Sequence, residues 1–442
     1  MSWRLVKLGE LITESRIPSE NPDPNRRITV RLNVLGVEKR ALENEKTGAT
    51  KQFIRKAGQF IYGKQNFHKG AFGIIPDELD GFESSADLPS FDVREDCLPE
   101  WIFYFFKQGG YYLELAKIAR GVATQRIHPE QIYDIEIPLP DIETQKKIIA
   151  SIKSVEDKGD KLKKEISHQL TLLEQLEQAI LQEAVQGKLV PQDPNDEPAS
   201  ELLKRIKAEK ATLQQAQGKG KKEKPLPPIK PEEIPFEIPE NWVWCRLGEI
   251  IQYTENLDIQ KYLSPDTIVN YVDIDAIDNQ NFIIREAKQK SVRELSTRAR
   301  RVLKPNYIVY STVRPYLKNI AIVKDEKDNY IGSTGFNVFK TLDVELKYAF
   351  YYFLTPYVNN SFKDLMVGFN SPSITNDQFE KSLFPLPPLS EQKRIVAEIE
   401  KQLAKTKQLK EHIIANQQAT EQLLKALLHQ AFEVKEMEEV NS

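Results

Sequence analysis

Residues 121–140 read GVATQRIHPEQIYDIEIPLP and residues 368–387 read GFNSPSITNDQFEKSLFPLP. Adding 247 to the first stretch lays Gly121 on Gly368, Ile127 on Ile374, Gln131 on Gln378, Pro138 on Pro385 and Pro140 on Pro387. The offset runs on without a gap, pairing Gln145 with Gln392, Lys146 with Lys393, Ile148 with Ile395, Leu176 with Leu423 and Ala179 with Ala426. Upstream, WIFYFF (101–106) faces YAFYYF (348–353), and Leu8-Gly9-Glu10 matches Leu247-Gly248-Glu249 at the opening of each half. Solenoid repeats run about 20–50 residues. A period this long makes each copy a whole domain with an appended helix.

Aromatic and β-branched runs at 27–34, 59–62 and 73–75, separated by Gly, Pro and Asn, read as strands and turns. Residues 1–142 therefore form a first globular domain, with 101–106 as a buried helix. From Thr144 the texture changes. Positions alternating by four and three from Ile148 to Ile180 hold Ile, Ile, Val, Gly, Leu, Ile, Gln, Leu, Leu and Ile, a heptad seam. Ile395 to Leu427 repeat the seam with more polar residues, and Leu403, Ile414, Leu424 and Leu428 widen it. Prolines 138, 140, 385, 387 and 388 precede the two helices, where they cannot break them. Gly187 stops the first. The spacing predicts a long central helix at 143–187, a connector at 188–240, a second globular domain at 241–390 and a C-terminal long helix at 391–442. The connector opens with turn signals, suggests a helix, then turns Lys- and Pro-rich, the composition of an extended, solvated linker.

Length and composition agree with two or three soluble domains: 442 residues, 40% hydrophobic, 29% charged. No run of about 18 apolar residues occurs, so no membrane span is expected, and MSWRLVKLGELITESR lacks an apolar signal core. Cys97 and Cys245 make no disulfide framework, which suits a reducing cytoplasm. Five histidines and two cysteines are too scattered for a metal cluster. The net charge of −3 hides a local excess: residues 285–304 hold eight basic and two acidic residues.

Catalytic motifs are missing. Asn21-Pro22-Asp23-Pro24 lacks the aromatic of a base-gripping methyltransferase loop. Gly218-Lys219-Gly220 sits in a Pro/Lys stretch rather than between strand and helix. Asp87, Asp92 and Glu95 lack the following Glu-x-Lys of a nuclease, and no Gly-x-Ser-x-Gly occurs. No catalysis and no cofactor are expected of this chain.

The paired boundaries IPLPDIETQKKI (137–148) and FPLPPLSEQKRI (384–395) resemble the specificity (S) subunits of type I restriction-modification systems. So do AVQGKLVPQDPNDEPASELLKRIKAEK (184–210), PFEIPENWVWCRLGEI (235–250) and GQFIYGKQNFHKGAFGIIP (58–76). One departure is Thr144 where the second boundary has Glu391. The resemblance implies an α+β fold: two pseudo-symmetric α/β target recognition domains, separated by two long antiparallel helices in a coiled coil. It implies a cytoplasmic, non-catalytic subunit in which each domain reads half of a bipartite site on double-stranded DNA. It implies two modification (methyltransferase) subunits, which bring S-adenosylmethionine, and restriction subunits, which use ATP and Mg. The rival reading is a coiled-coil structural protein joining two protein- or glycan-binding modules, with no basic cleft on either. A third, a standalone nuclease, predicts metal-dependent DNA cleavage by this chain alone.

Base readout needs side chains that form paired hydrogen bonds, chiefly Arg to guanine and Asn or Gln to adenine. Two polar turns follow apolar strands at an offset of 248: Lys64, Gln65, Asn66 and His68 in the first domain, and Thr312, Arg314, Tyr316 and Lys318 in the second. Thr124, Gln125 and Arg126 precede Ile127, and Ser371 and Ser373 precede its match Ile374. These are candidates for phosphate or base contact, although a turn capping the next element explains them equally well. Arg298, Arg300, Arg301 and Lys304 are candidate phosphate contacts.

Overall fold

The structure, a computed structural model, describes residues 3–41, 51–121, 125–216 and 225–430. It divides into two compact units, one of residues 1–168 and 413–442, the other of residues 169–412.

Each unit is built on the same frame. In the first, strand Arg4–Lys7 pairs antiparallel with Glu136–Leu139, and a four-stranded antiparallel sheet runs in the order Ile12–Ser15, Ser90–Val93, Phe60–Tyr62, Phe72–Ile74. In the second, Val243–Arg246 pairs with Leu383–Leu386, and the sheet order is Ile251–Tyr253, Phe336–Thr341, Ile308–Ser311, Ile320–Ile322. Helix Pro99–Lys107 covers the first sheet with Trp101 and Phe106 among Phe60, Tyr62 and Phe91. Helix Leu346–Leu354 covers the second with Phe353 against Tyr310 and Phe339. Their apolar density is therefore core, burying about 1.5–3 kcal/mol per large side chain. The units differ elsewhere. The first adds two antiparallel strand pairs, 28–30 with 37–39 and 52–54 with 83–85. The second adds a mixed four-stranded sheet at 268–333. In the first unit Arg55 is fully buried. It donates to Ser84 Oγ, Ser90 Oγ and the carbonyls of Ser15 and Leu88, and burial pulls its guanidinium down to about 10.

The repeated boundary is a repeated hydrogen-bond network. Buried Gln145 donates through Nε2 to the Pro140 carbonyl (2.9 Å) and accepts from Leu98 N (2.8 Å). Buried Gln392 does the same with Pro387 (2.9 Å) and Glu345 N (2.8 Å), each partner 247 residues on. Trp101 Nε1 donates to the Pro138 carbonyl and its counterpart Tyr348 OH to that of Pro385. Thr144 and Glu391, where the boundaries depart, do different work. Thr144 is held by the Asp141 cap, whereas buried Glu391 accepts from Trp242 Nε1 (2.9 Å) and Gln192 Nε2 (2.6 Å).

The long helices span Ile142–Val185 and Leu389–Gln430, and Gly187 after the first takes a left-handed φ of 71°. In the second unit Thr406 Oγ1 donates to Glu177 and, further along, Gln192 bonds Glu391. One chain advances as the other retreats, so the pair is antiparallel. In the first unit Gly159 faces Leu424 so closely that a Cβ at this position would lie 2.7 Å from Leu424 Cδ1. Most of the expected seam turns inward, with Ile152, Gly159, Ile166, Ile180, Ile395, Ile399 and Thr406 buried, but four of its leucines do not. Leu162, Leu176, Leu409 and Leu423 are exposed. Leu173, Glu177, Ile180, Leu403 and Thr406 turn inward, as does Leu424. At Thr406 the expected seam makes a polar contact with Glu177, beside the exposed Leu176 and Leu409, so the apolar count holds for most of the seam and fails at these leucines.

The connector is less detached than its composition suggests. Helix Ala199–Ala216 buries Ala199, Leu202, Leu203 and Ile206 in the second unit's core. The proline-rich stretch is strapped down by Arg246, which donates to the carbonyls of Pro227 and Pro228 and pairs with Glu233 at 2.6 Å. The Lys-rich residues 217–224 lie outside the described residues.

Two outcomes test the frame. Gln392→Leu leaves a buried carbonyl and a buried N–H unpaired, a loss of about 3 kcal/mol, seen as faster hydrogen exchange in strand Leu383–Leu386. Gly9→Ala puts a Cβ 2.7 Å from Tyr133 Cβ. Overpacking of this kind costs about 1–3 kcal/mol, measurable as a lowered denaturation midpoint of the first unit.

Candidate nucleic-acid interface

In the second unit strand Ile308–Ser311 runs into a turn that carries the candidate residues. Thr312 N and Oγ1 both donate to the Gly335 carbonyl (2.9 and 3.0 Å), and the Thr312 carbonyl accepts from Ile374 N (3.0 Å). Arg314 follows in the left-handed region (φ 48°), its N donating to Pro372 O (2.8 Å) and its Nη2 to Asn370 O (2.9 Å). A single 3-10 turn, Pro315–Leu317, leads to Lys318, also left-handed at φ 52°. Its counterpart in the first unit, 248 positions earlier, is Gly70 at φ 80°. A left-handed residue with a side chain costs about 1–2 kcal/mol, and such strain gathers where geometry serves a site.

The turn opens on a cleft of about 520 Å³ lined by Arg298, Arg314 and Ser371 together with Asp275, Asn279 and Asn319. The guanidiniums of Arg298 and Arg314, the Asn279 amide and the Ser371 hydroxyl supply the donors that carbonyls, ring nitrogens and phosphates accept.

The other candidates of this unit go elsewhere. Thr312 is buried and spends its groups on the frame. Lys318 turns from the cleft to donate to Gln178 on the long helix (3.1 Å), and burial lowers its pKa. Arg300 lies 3.5 Å from Asp258, and Lys304 lies 2.8 Å from Glu255, which raises its pKa. Arg301 is half-buried, its pKa lowered by burial and its Nε without a hydrogen-bond partner. Tyr316 is exposed beside the cleft turn, and Ser373 exchanges backbone hydrogen bonds with Val367 (3.0 Å each way).

The first unit repeats the arrangement with different side chains. Lys64 takes the place of Thr312: its carbonyl accepts from Ile127 N (2.8 Å) and its N donates to Asp87 O (2.9 Å). Arg126 and Arg120 exchange backbone hydrogen bonds (2.8 Å each way), as Ser373 and Val367 do. Arg126 Nη2 lies 3.8 Å from Asp87 Oδ2. Lys64, Arg126 and Asp87 thus share one patch. Asn66 closes the turn with its backbone, accepting from Lys69 N and Ala71 N. Gln65 is half-buried and Gln125 exposed. His68 has a buried Nδ1 without a hydrogen-bond partner, and burial followed by the charge of Lys69 lowers its pKa. Thr124 lies outside the described residues.

Arg120, Asp275 and Asn279 did not stand out in the sequence. Arg120 was findable as the match of Val367 in a repeated strand pairing. Asp275 and Asn279 lie where the two halves scarcely align. Among the described residues no group of three or more His, Cys, Asp or Glu is placed to hold a metal, and no helix is long and apolar enough to cross a membrane.

Residues 2–172 and 239–416 match the family described as type I restriction modification DNA specificity domain. The EcoAI type I restriction enzyme specificity subunit of Escherichia coli is 39% identical over 254 residues, covering 53% of this chain and 40% of that protein. The EcoEI specificity subunit of Escherichia coli is 33% identical over 262 residues, covering 58% and 43%. These alignments span less than half the length of either relative. Two solved structures share the fold at 17% identity. The crystal structure of the HsdS subunit from Thermoanaerobacter tengcongensis has a TM-score of 0.58, covering 98% of this chain and 96% of that one. A chain from work on complex assembly and conformational transition of the type I R-M system has a TM-score of 0.64, covering 98% of each.

Proposed function

The chain belongs to the type I restriction modification DNA specificity family, and from that premise we propose that it reads a bipartite sequence on double-stranded DNA, one half with each unit. It is a non-catalytic subunit, working in the cytoplasm, that scaffolds two adenine-methylating modification subunits and the restriction subunits. S-adenosylmethionine, ATP and Mg act in those partners.

The observation that carries the reading is one loop frame bearing two different sets of hydrogen-bonding side chains. Lys64 and Arg126 stand on it in the first unit, Arg298, Arg314 and Ser371 on or beside it in the second. A common frame with unlike readers is what two unlike half-sites require. Arg314 is assigned to a base edge, where its fork suits guanine. Arg300 and Lys304 are assigned to phosphate, where Asp258 and Glu255 are exchanged for backbone oxygens. The exposed leucines of the long helices offer the methyltransferase subunits an apolar stripe.

Methylation mapping in cells carrying the complete system tests this. Exchanging residues 1–142 for those of a relative should change one half of the methylated sequence only; a change in both halves, or no defined sequence, defeats the proposal. Arg314→Ala should relax one base pair of the second half by about 1–3 kcal/mol. Arg300→Ala should weaken all sequences alike and reduce the slope of log affinity against log salt by about one.

A further inference from the structure

The loop from Val367 to Ser373 carries an aromatic that the fold does not use. Phe369 is 100% exposed, and Val367 beside it is 67% exposed. The loop holds it there. Val367 and Ser373 close the base with two backbone hydrogen bonds of 3.0 Å, and Arg314 ties the far side through Pro372 O and Asn370 O. Gly368, at φ 108°, makes the bend just before Phe369. Tyr316 and Leu317, each 40% exposed, stand on the 3-10 turn that follows Arg314. Leaving a Phe in water forgoes about 1.5–3 kcal/mol of burial, and here a pinned backbone maintains that exposure within two residues of Ser371, which lines the cleft with Arg298 and Arg314.

We propose that Phe369 is an apolar wedge, inserting between two adjacent base pairs at the edge of the half-site read by the second unit. The inference rests on the DNA-reading function proposed above and adds a specificity-determining residue to it. The surroundings select DNA as the occupant. The aromatic's loop reaches, through Ser371, a cleft that holds Arg298 and Arg314 with Asp275 as its one carboxylate, and nucleic-acid binders pair such backbone attraction with an inserted or stacked ring. Insertion unstacks one step, so easily unstacked pyrimidine–purine steps are favoured there. The unit would then discriminate at a step its polar side chains never touch.

The test uses the full chain assembled with its methyltransferase subunits, and duplexes carrying 2-aminopurine at successive positions across the second half-site. Wild-type protein should raise 2-aminopurine fluorescence at one step. Phe369→Ala should abolish that rise and weaken binding about tenfold or more, while Phe369→Leu, an alternative wedge, keeps most of both. Because the side chain touches nothing in the fold, the alanine variant should denature like wild type. Equal binding and an equal fluorescence pattern in Phe369→Ala overturn the inference alone. So does a Phe369→Ala chain that fails to assemble with its methyltransferase subunits, which makes the residue a protein contact. A wild-type complex that methylates no bipartite sequence removes the underlying reading, and the wedge with it.

Discussion

A buried glutamine amide joins each globular repeat to its long helix. Gln145 and Gln392 each bridge a proline carbonyl at the start of the helix to the N–H that opens the covering helix of the sheet. The bridge spans two places where the backbone has no ladder partner, the carbonyl just ahead of the long helix and the N–H that opens the covering helix. The first N–H groups of a helix have no intrahelical partner, and inside a core an unpaired group costs about 1–3 kcal/mol. One side-chain amide, with a donor and an acceptor on the same plane, satisfies two such groups and fixes the angle at which the helix leaves the domain. The aromatic above it, Trp101 or Tyr348, satisfies the proline carbonyl two residues earlier.

Around this joint the duplication has preserved geometry and released chemistry. Glu100 pairs with Lys153 at 3.4 Å, and at the matching positions Lys347 pairs with Glu400 at 2.6 Å with the signs reversed. An exposed ion pair is worth only about 0–1 kcal/mol, so its orientation drifts while the joint stays. The turn after the third sheet strand behaves likewise. Lys64 and Thr312 offer the same carbonyl to Ile127 and Ile374, but their side chains share nothing. A backbone interaction leaves the side chain free to vary, and that freedom lets one frame carry two different sets of side chains.

Much of the frame was legible in the sequence because it is repeated. Matching Gln145 with Gln392 and Pro140 with Pro387 located the joint and both helices from the chain alone. The helix seam was legible only in part. Burial follows the packing of two helices, and where Glu177 meets Thr406 the neighbouring Leu176 and Leu409 stay exposed in a way that counting apolar residues along one helix cannot register. The site was legible where the turn is repeated, which brought Arg314 and Arg126 forward. It was illegible where partners come from diverged segments. Asp258, Glu255 and Gln178 claim Arg300, Lys304 and Lys318, and a charge in a sequence does not announce its partner.

The left-handed pair Arg314 and Lys318 places strain in the second unit's turn where the first turn has glycine, the first unit's own left-handed residues being Asn33 and Val34 beside that glycine. Gly70 closes the first turn without conformational cost. Placing lysine at the equivalent position costs about 1–2 kcal/mol, and its half-burial lowers its pKa as well. The return is the hydrogen bond to Gln178, which ties the far end of the turn to the long helix while Pro372 and Asn370 hold the near end at Arg314. A turn held at both ends loses little freedom when a ligand arrives, so a larger share of each new contact remains as affinity and discrimination. At Gly70 a Cβ would lie 2.9 Å from Val34 N and 3.0 Å from Asn33 Cα, so the first turn keeps glycine because no side chain fits there, whereas the second turn has room for lysine and gains its bond to Gln178.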